Sequence, residues 1–181
     1  MKVRVLHHES LPPATLGQLL SRLPAPFQIH RKEPWQFPDH VGFDPYRQQS
    51  NALELLRTLP TPGQGEAVLG LVGIDLYLPS LTFVFGLSLL GQRQGLLSSL
   101  RLRPDNGDAL LWQRRVLVEA VHELGHAVGL VHCPLASCAM HQSFHPEAVD
   151  LKEPAYCPAC LSQLSALLGS QGQGAGKLNR N

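Results

Sequence analysis

Residues 122 to 132 read His122-Glu123-Leu124-Gly125-His126-Ala127-Val128-Gly129-Leu130-Val131-His132. On a helix, at about 100° per residue, His122 and His126 stand one turn apart and roughly 40° apart in azimuth, so both imidazoles can reach one ion. His132 cannot join them if the helix continues, because it would lie about 9 Å further along the axis and about 120° round. Gly129 removes the difficulty. Lacking a Cβ, it adopts a left-handed conformation freely, which ends the helix and swings His132 back. Three neutral nitrogens, with one position left for water, make the donor set of a catalytic rather than a structural zinc. Glu123, beside the first ligand, is placed to take a proton from that water.

Four cysteines, Cys133, Cys138, Cys157 and Cys160, fall inside one window of 28 residues. A secreted disulfide scaffold spreads its cysteines through a shorter chain. Clustered cysteines in a reducing compartment serve more often as metal ligands. The spacing lets four thiolates close a tetrahedron with no open position, which makes a structural zinc. The alternatives are two short disulfides or a redox Cys-x-x-Cys, and the second lacks its usual βαβ context. Residues 134–156 between the pairs have few apolar side chains and little helical periodicity, so they need an external tie. His7, His8, His30, His40, His141 and His145 lack partner spacing and read as surface or loop residues. Of these, His141 and His145 are close enough in sequence to the cleft to stay weak candidates.

The elements around these residues can be read from pattern. Leu110, Leu117, Val121, Leu124 and Val128 form one stripe of the histidine-bearing helix, on the side away from the ligands. One face packs and the other presents donors. Asp108 is its expected N-cap. An amphipathic core helix with incidental polar residues would account for that stripe, but not for three histidines and a glutamate opposite it. Residues 2–6 and 27–31 read as strands, 13–23 and 46–59 as amphipathic helices, and 33–45 as a loop rich in Pro and aromatics. The nearly continuous apolar run 67–78 reads as a buried parallel strand. Residues 82–88 and 96–102 read as two further strands. This order predicts an α/β layer, with helix-poor, cysteine-rich structure after residue 133. Residues 169–181, rich in Gly and Gln, read as a flexible tail.

Composition bounds the function. The chain of 181 residues is 44% apolar and 16% charged, drier than the usual ~25% charged, which excludes wholesale disorder. A net charge of +1 gives no basic field for nucleic acid. No apolar run reaches a membrane span. The N-terminus meets charge before a signal-peptide core could form. A cytoplasmic protein is expected, with no nucleic-acid and no membrane partner.

The histidine motif, followed eight residues later by Met140, matches the metzincin signature, in which a methionine lies beneath the catalytic zinc. A lone Met filling a core gap is the plainer alternative. With Cys133 directly after the third His, then Cys138, Met140 and Cys157-Pro158-Ala159-Cys160, the chain resembles the archaemetzincins. These are zinc metallopeptidases with a second, four-cysteine zinc site. Asp75-Leu76-Tyr77-Leu78-Pro79, Phe83-Val84-Phe85-Gly86, Ser99-Leu100-Arg101-Leu102 and Asp150-Leu151-Lys152 look like that family too.

The resemblance implies a compact metzincin-like α/β fold. Its twisted, mostly parallel five-stranded sheet would carry one antiparallel edge strand, placed by order at residues 82–88 above the cleft. It implies one catalytic domain over residues 1–168. Residues 1–132 would carry the active-site helix, and 133–168 would form a small zinc-stapled subdomain. A peptide or protein substrate would lie beside the edge strand of what is expected to be a monomer. On this reading the chain binds two Zn²⁺, one catalytic at His122, His126 and His132, and one structural at the four cysteines. It hydrolyses peptide bonds with Glu123 as base and Met140 as the Met-turn. The competing readings are a catalytically silent zinc protein that binds peptides or partners in the same cleft, and a zinc hydrolase of a non-peptide amide. A binding module has no need of Glu123; the amide hydrolase would use the same ligands.

Overall fold

The computed structural model describes residues 1–11 and 22–170. Most of the helix expected at 13–23, and the tail beyond 170, lie outside them. Five strands make the main sheet: β1 (Lys2–His7), β2 (Gln28–Pro34), β5 (Glu66–Val72), β8 (Gly86–Leu89) and β9 (Gln94–Ser98), in the order β2-β1-β5-β9-β8. The pairings β1–β2, β1–β5 and β5–β9 are parallel, and β8 runs antiparallel to β9 at the edge. The mixed α/β architecture with a mostly parallel sheet is therefore as expected.

Period-two alternation divides the central strand between two cores. Leu69 and Leu71 of β5 join Val3, Val5 and Leu97 against Val121, Leu124 and Val128 of the long helix α2 (Ala109–Val128). Val68 and Val72 join Leu6, Leu96 and Trp35 against Leu55 and Leu56 of α1 (Ala52–Leu56). The first core also takes in Cys138, Met140, Val149, Tyr156 and Leu164. It thus runs without a break into the cysteine-bearing part.

Four expected elements are shorter or more divided than their patterns suggest. The run 67–78 is two strands: β5 stops at Val72, and β6 (Leu76–Leu78) belongs to a second, four-stranded sheet. Gly73 marks the break, where a Cβ would come within 2.5 Å of the Ser10 carbonyl oxygen. The remaining strands of that sheet are β3 (Phe43–Asp44), β4 (Gln49–Asn51) and β7 (Leu81–Val84). The expected edge strand 82–88 is likewise divided. Residues up to Val84 pair with β6, Phe85 is buried at the switch, and only Gly86–Leu89 forms the antiparallel edge of the main sheet. Hydrophobicity cannot reveal a strand that changes sheet while its residues stay apolar. Residues 46–59 give a helix of five residues, because the Asn51 side chain accepts from the N–H groups of Leu53 and Glu54 and caps it there. Residues 96–102 divide into β9 and a 3₁₀ turn over Leu100–Leu102.

The helix α2 begins where expected, with the Asp108 carboxylate accepting from Leu110 N–H and Leu111 N–H. Leu110, however, stands 77% exposed, so the packing stripe starts at Leu117, about two turns later than its spacing suggests. At the far end the turn after β8 donates into the helix, Gly91 N–H to His126 O at 3.0 Å and Arg93 N–H to Ala127 O at 2.7 Å. Carbonyls that a helix leaves orphaned are thereby satisfied, and the helix end is fixed against β8 and β9.

The part after residue 133 is less helix-poor than expected. The short α3 (Pro146–Val149) is followed by α4 (Pro158–Ser170), which starts inside the second cysteine pair and runs through residues 169 and 170. A polar ladder ties this part to α2. Arg115 makes a two-pronged contact with Asp150 at 2.8 and 2.7 Å, Arg114 donates to Lys152 O at 2.6 Å, and Tyr156 Oη donates to Val121 O at 2.6 Å.

Candidate metal centres and active site

The histidine side chains converge because the helix ends on time. Gly129 has φ +120°, and the turn it makes brings Leu130 O to within 2.7 Å of His126 Nδ1. His122 Nδ1 lies 2.7 Å from Ala139 O. A carbonyl oxygen only accepts, so in both rings Nδ1 carries the proton and Nε2 keeps its lone pair. Those two Nε2 atoms are 3.0 Å apart. Two lone pairs at that distance repel unless a cation is shared between them. Two zinc–nitrogen bonds of ~2.0–2.1 Å at a tetrahedral angle would set them about 3.3 Å apart. The nitrogen of His132 completes a group whose donor atoms all lie within 4.8 Å of one another. Burial holds His122 far below the usual imidazole range and lowers His126 and His132 as well, which favours three neutral donors. The donor set fits zinc.

Glu123 is buried on the same turn, against β8. Burial pushes its carboxyl up to about 8, and the hydrogen bond from Ser88 acts against that rise. A carboxyl raised in this way holds a proton more readily than a free glutamate does, as a general base must. A cleft of about 540 Å³ opens over it, walled by β7 and β8 on one side and by residues 142–144 on the other.

The four cysteines are free thiols whose sulfurs also lie within 4.8 Å of one another, with Cys133 Sγ and Cys157 Sγ 3.8 Å apart. Tetrahedral zinc–sulfur bonds of ~2.3 Å imply about 3.8 Å. The Cys160 N–H, first among several hydrogen bonds, draws the Cys157 thiol down to about 7. This set fits zinc too. The two donor sets touch in sequence, since His132 and Cys133 share a peptide bond. Cys133 N–H donates to Met140 O at 2.9 Å, and Cys133 O lies 2.9 Å from His141 Nδ1. Met140 is fully buried beneath the ligand helix, packed on Gly125, where a Cβ would collide with its sulfur. His145 instead faces solvent beside Glu147.

The model of peptidase family M54 matches residues 61–166, more than half of the chain. The chain belongs to that family. A curated archaemetzincin of Methanocaldococcus jannaschii is 41% identical over 124 residues, covering 65% of this chain and 67% of the relative. One of Thermococcus kodakarensis is 40% identical over 131 residues, covering 68% and 70%. Among solved structures, the archaemetzincin of Methanopyrus kandleri superimposes with a TM-score of 0.80 at 31% identity, covering 93% of this chain and 96% of its own. That of Archaeoglobus fulgidus, complexed with malonate, gives 0.79 at 32% identity, covering 90% and 99%. As an archaemetzincin of family M54, the chain is a zinc-dependent metallopeptidase.

Several side chains at this site escape a reading by motif. Glu119 sits three residues before His122 and lines the cleft; helical spacing could have found it. Lys152, wholly enclosed, reaches Glu119 and the His141 carbonyl; the sequence marks it only as part of Asp150-Leu151-Lys152, without a role. Ser88 and Gly86 share a face of β8 by period two, toward Glu123. The segments that look like the family acquire reasons here. Asp75 grips Arg101 through two contacts of 2.6 Å, Asp150 grips Arg115, and Arg101 lies 4.3 Å over the Phe83 ring.

Proposed function

We propose that His122, His126 and His132 hold a catalytic zinc, that the four cysteines hold a second, structural zinc, and that Glu123 is the general base of peptide hydrolysis. The observation that carries this reading is the pair of Nε2 lone pairs facing each other at 3.0 Å, with Glu123 on the next residue and a cleft above. When bound, zinc in the histidine set would polarise the scissile carbonyl and acidify water. Glu123 takes the proton from that water and passes it to the leaving amine. The hydrogen bonds from Nδ1 to Ala139 O and Leu130 O hold the two imidazoles in the required tautomer and orientation.

The substrate is a peptide laid along β8. That strand ends the sheet order, so its outer main-chain groups are available for an added strand. The cysteine set leaves no donor position open, and its role is to fasten the start of α4 to residues 133–138. No helix among the described residues is long and apolar enough to cross a membrane.

The test pairs zinc content with cleavage of a peptide library by wild type and Glu123→Ala. We expect the variant to keep its zinc while turnover falls by ~10²–10⁴-fold. Undiminished cleavage by a fully metallated variant would refute Glu123 as base. Peptide binding without cleavage by either protein would contradict the hydrolytic reading.

A further inference from the structure

We propose that Ser88 is a positioning residue for Glu123, and that Gly86 and Gly95 supply the space in which it works; this rests on Glu123 being the base. The Ser88 hydroxyl lies 2.6 Å from Glu123 Oε2 and 2.9 Å from the main-chain oxygen of the same residue. Both oxygens are acceptors, so the hydroxyl serves one at a time; donated to Oε2, its proton ties the carboxylate to β8 and restricts its side-chain torsions. A hydroxyl donates a single proton, and an ionised carboxylate is the stronger of the two acceptors.

Two glycines make the contact possible. Ser88 is the direct cross-strand partner of Gly95. A Cβ at Gly95 would stand 2.7 Å from Ser88 Oγ and 3.5 Å from Glu123 Cβ. A Cβ at Gly86 would stand 2.5 Å from Glu123 Oε1 and 2.6 Å from Leu96 O. Neither glycine has a positive φ, so backbone torsion gives no reason for a glycine at either place. Space does. Gly86, Ser88 and Gly95 form a recess on the β8–β9 pair that receives the Glu123 side chain.

The recess lies on the strand whose open edge would take the substrate. A peptide added to β8 would stiffen the element that aims the base, so docking and base orientation are linked through one strand. A general base must lie within hydrogen-bond reach of its proton, and ångström-scale misplacement costs rate rather than binding.

The experiment measures kcat, KM and zinc content on one library peptide for wild type, Ser88→Ala, Ser88→Thr, Gly95→Ala and Glu123→Ala. Ser88→Ala should lower kcat about tenfold or more, less than Glu123→Ala does, with KM and zinc unchanged. Ser88→Thr keeps the hydroxyl and should recover most of the loss. Gly95→Ala leaves the hydroxyl in place but crowds it, and should copy the kcat loss without touching Ser88. An unchanged kcat in Ser88→Ala beside an impaired Glu123→Ala would overturn the positioning role and leave the base assignment intact. Wild-type cleavage by Glu123→Ala would overturn both. A Ser88→Ala defect that appears as lost zinc, or wholly as raised KM, would overturn the proposal in favour of a metal-holding or substrate-binding role.

Discussion

Lys152 and Glu119 form an ion pair with almost no contact with solvent: the lysine side chain is 0% exposed and the glutamate 4%. The same ammonium donates to His141 O at 3.2 Å. It pins the turn after Met140 onto α2, one helical turn before His122. Removing a single partner from a buried pair strands the other charge, which typically costs 3–5 kcal/mol, whereas apolar replacement of both is often neutral. Lys152→Met should therefore destabilise the protein by about 3–5 kcal/mol, and adding Glu119→Leu should restore most of that. Urea denaturation of the zinc-loaded proteins measures both. Equal losses in the single and double variants would show that the pairing contributes little.

Two donor sets predict two ions. Elemental analysis of protein purified without added metal should give about two zinc equivalents. A triple alanine variant of the three histidines should keep one. A value that falls to zero would mean that the cysteines hold none.

The ions should differ in what they support. The histidine set sits on a helix already packed on both sides of Leu124 and Val121, and the cysteine set closes a segment with a thinner apolar core. Structural zinc contributes directly to folding. Cys160→Ser should thus lower Tm by several degrees more than His126→Ala does. Thermal melts in which the histidine variant suffers equally would contradict this division.

Gly125 tests the methionine beneath the ligand helix. Its added Cβ would stand in the Met140 sulfur and 3.1 Å from Tyr156 Cε1. Gly125→Ala should cost about 1–3 kcal/mol through overpacking and weaken zinc retention, because the shift falls between His122 and His126. Zinc titration with a chelator reads the second effect. Wild-type retention would mean that Met140 yields without disturbing the ligands.

How much of this is legible in the sequence depends on how local its cause is. The donor sets are legible because the histidines fall within eleven residues and the cysteines as two close pairs within 28, and Gly129 announces the turn that His132 needs. The buried parallel strand β5 follows from its apolar run, and the rest of the mostly parallel sheet from the family resemblance. The division of 67–78 and 82–88 between two sheets does not, since apolar and β-branched residues continue on both sides of each switch and hydrophobicity looks the same across it. Asn51 does carry a signal, an N-cap residue before Ala52, and weighing it would have shortened the helix expected at 46–59. Lys152 and Ser88 act across 33 and 35 residues. Only the folded topology brings them to the site.

The peptide bond between His132 and Cys133 has a toxicological side. No linker separates the last imidazole of one ion from the first thiolate of the other. A thiophilic ion such as cadmium, entering the sulfur set with longer bonds, would push on Cys133 and so on His132. It would act as an inhibitor from outside the cleft, with no competition from peptide. Cadmium-exchanged protein that still carries zinc on its histidines should show lowered kcat at unchanged KM. Full kcat in that hybrid would show that the shared peptide bond transmits nothing.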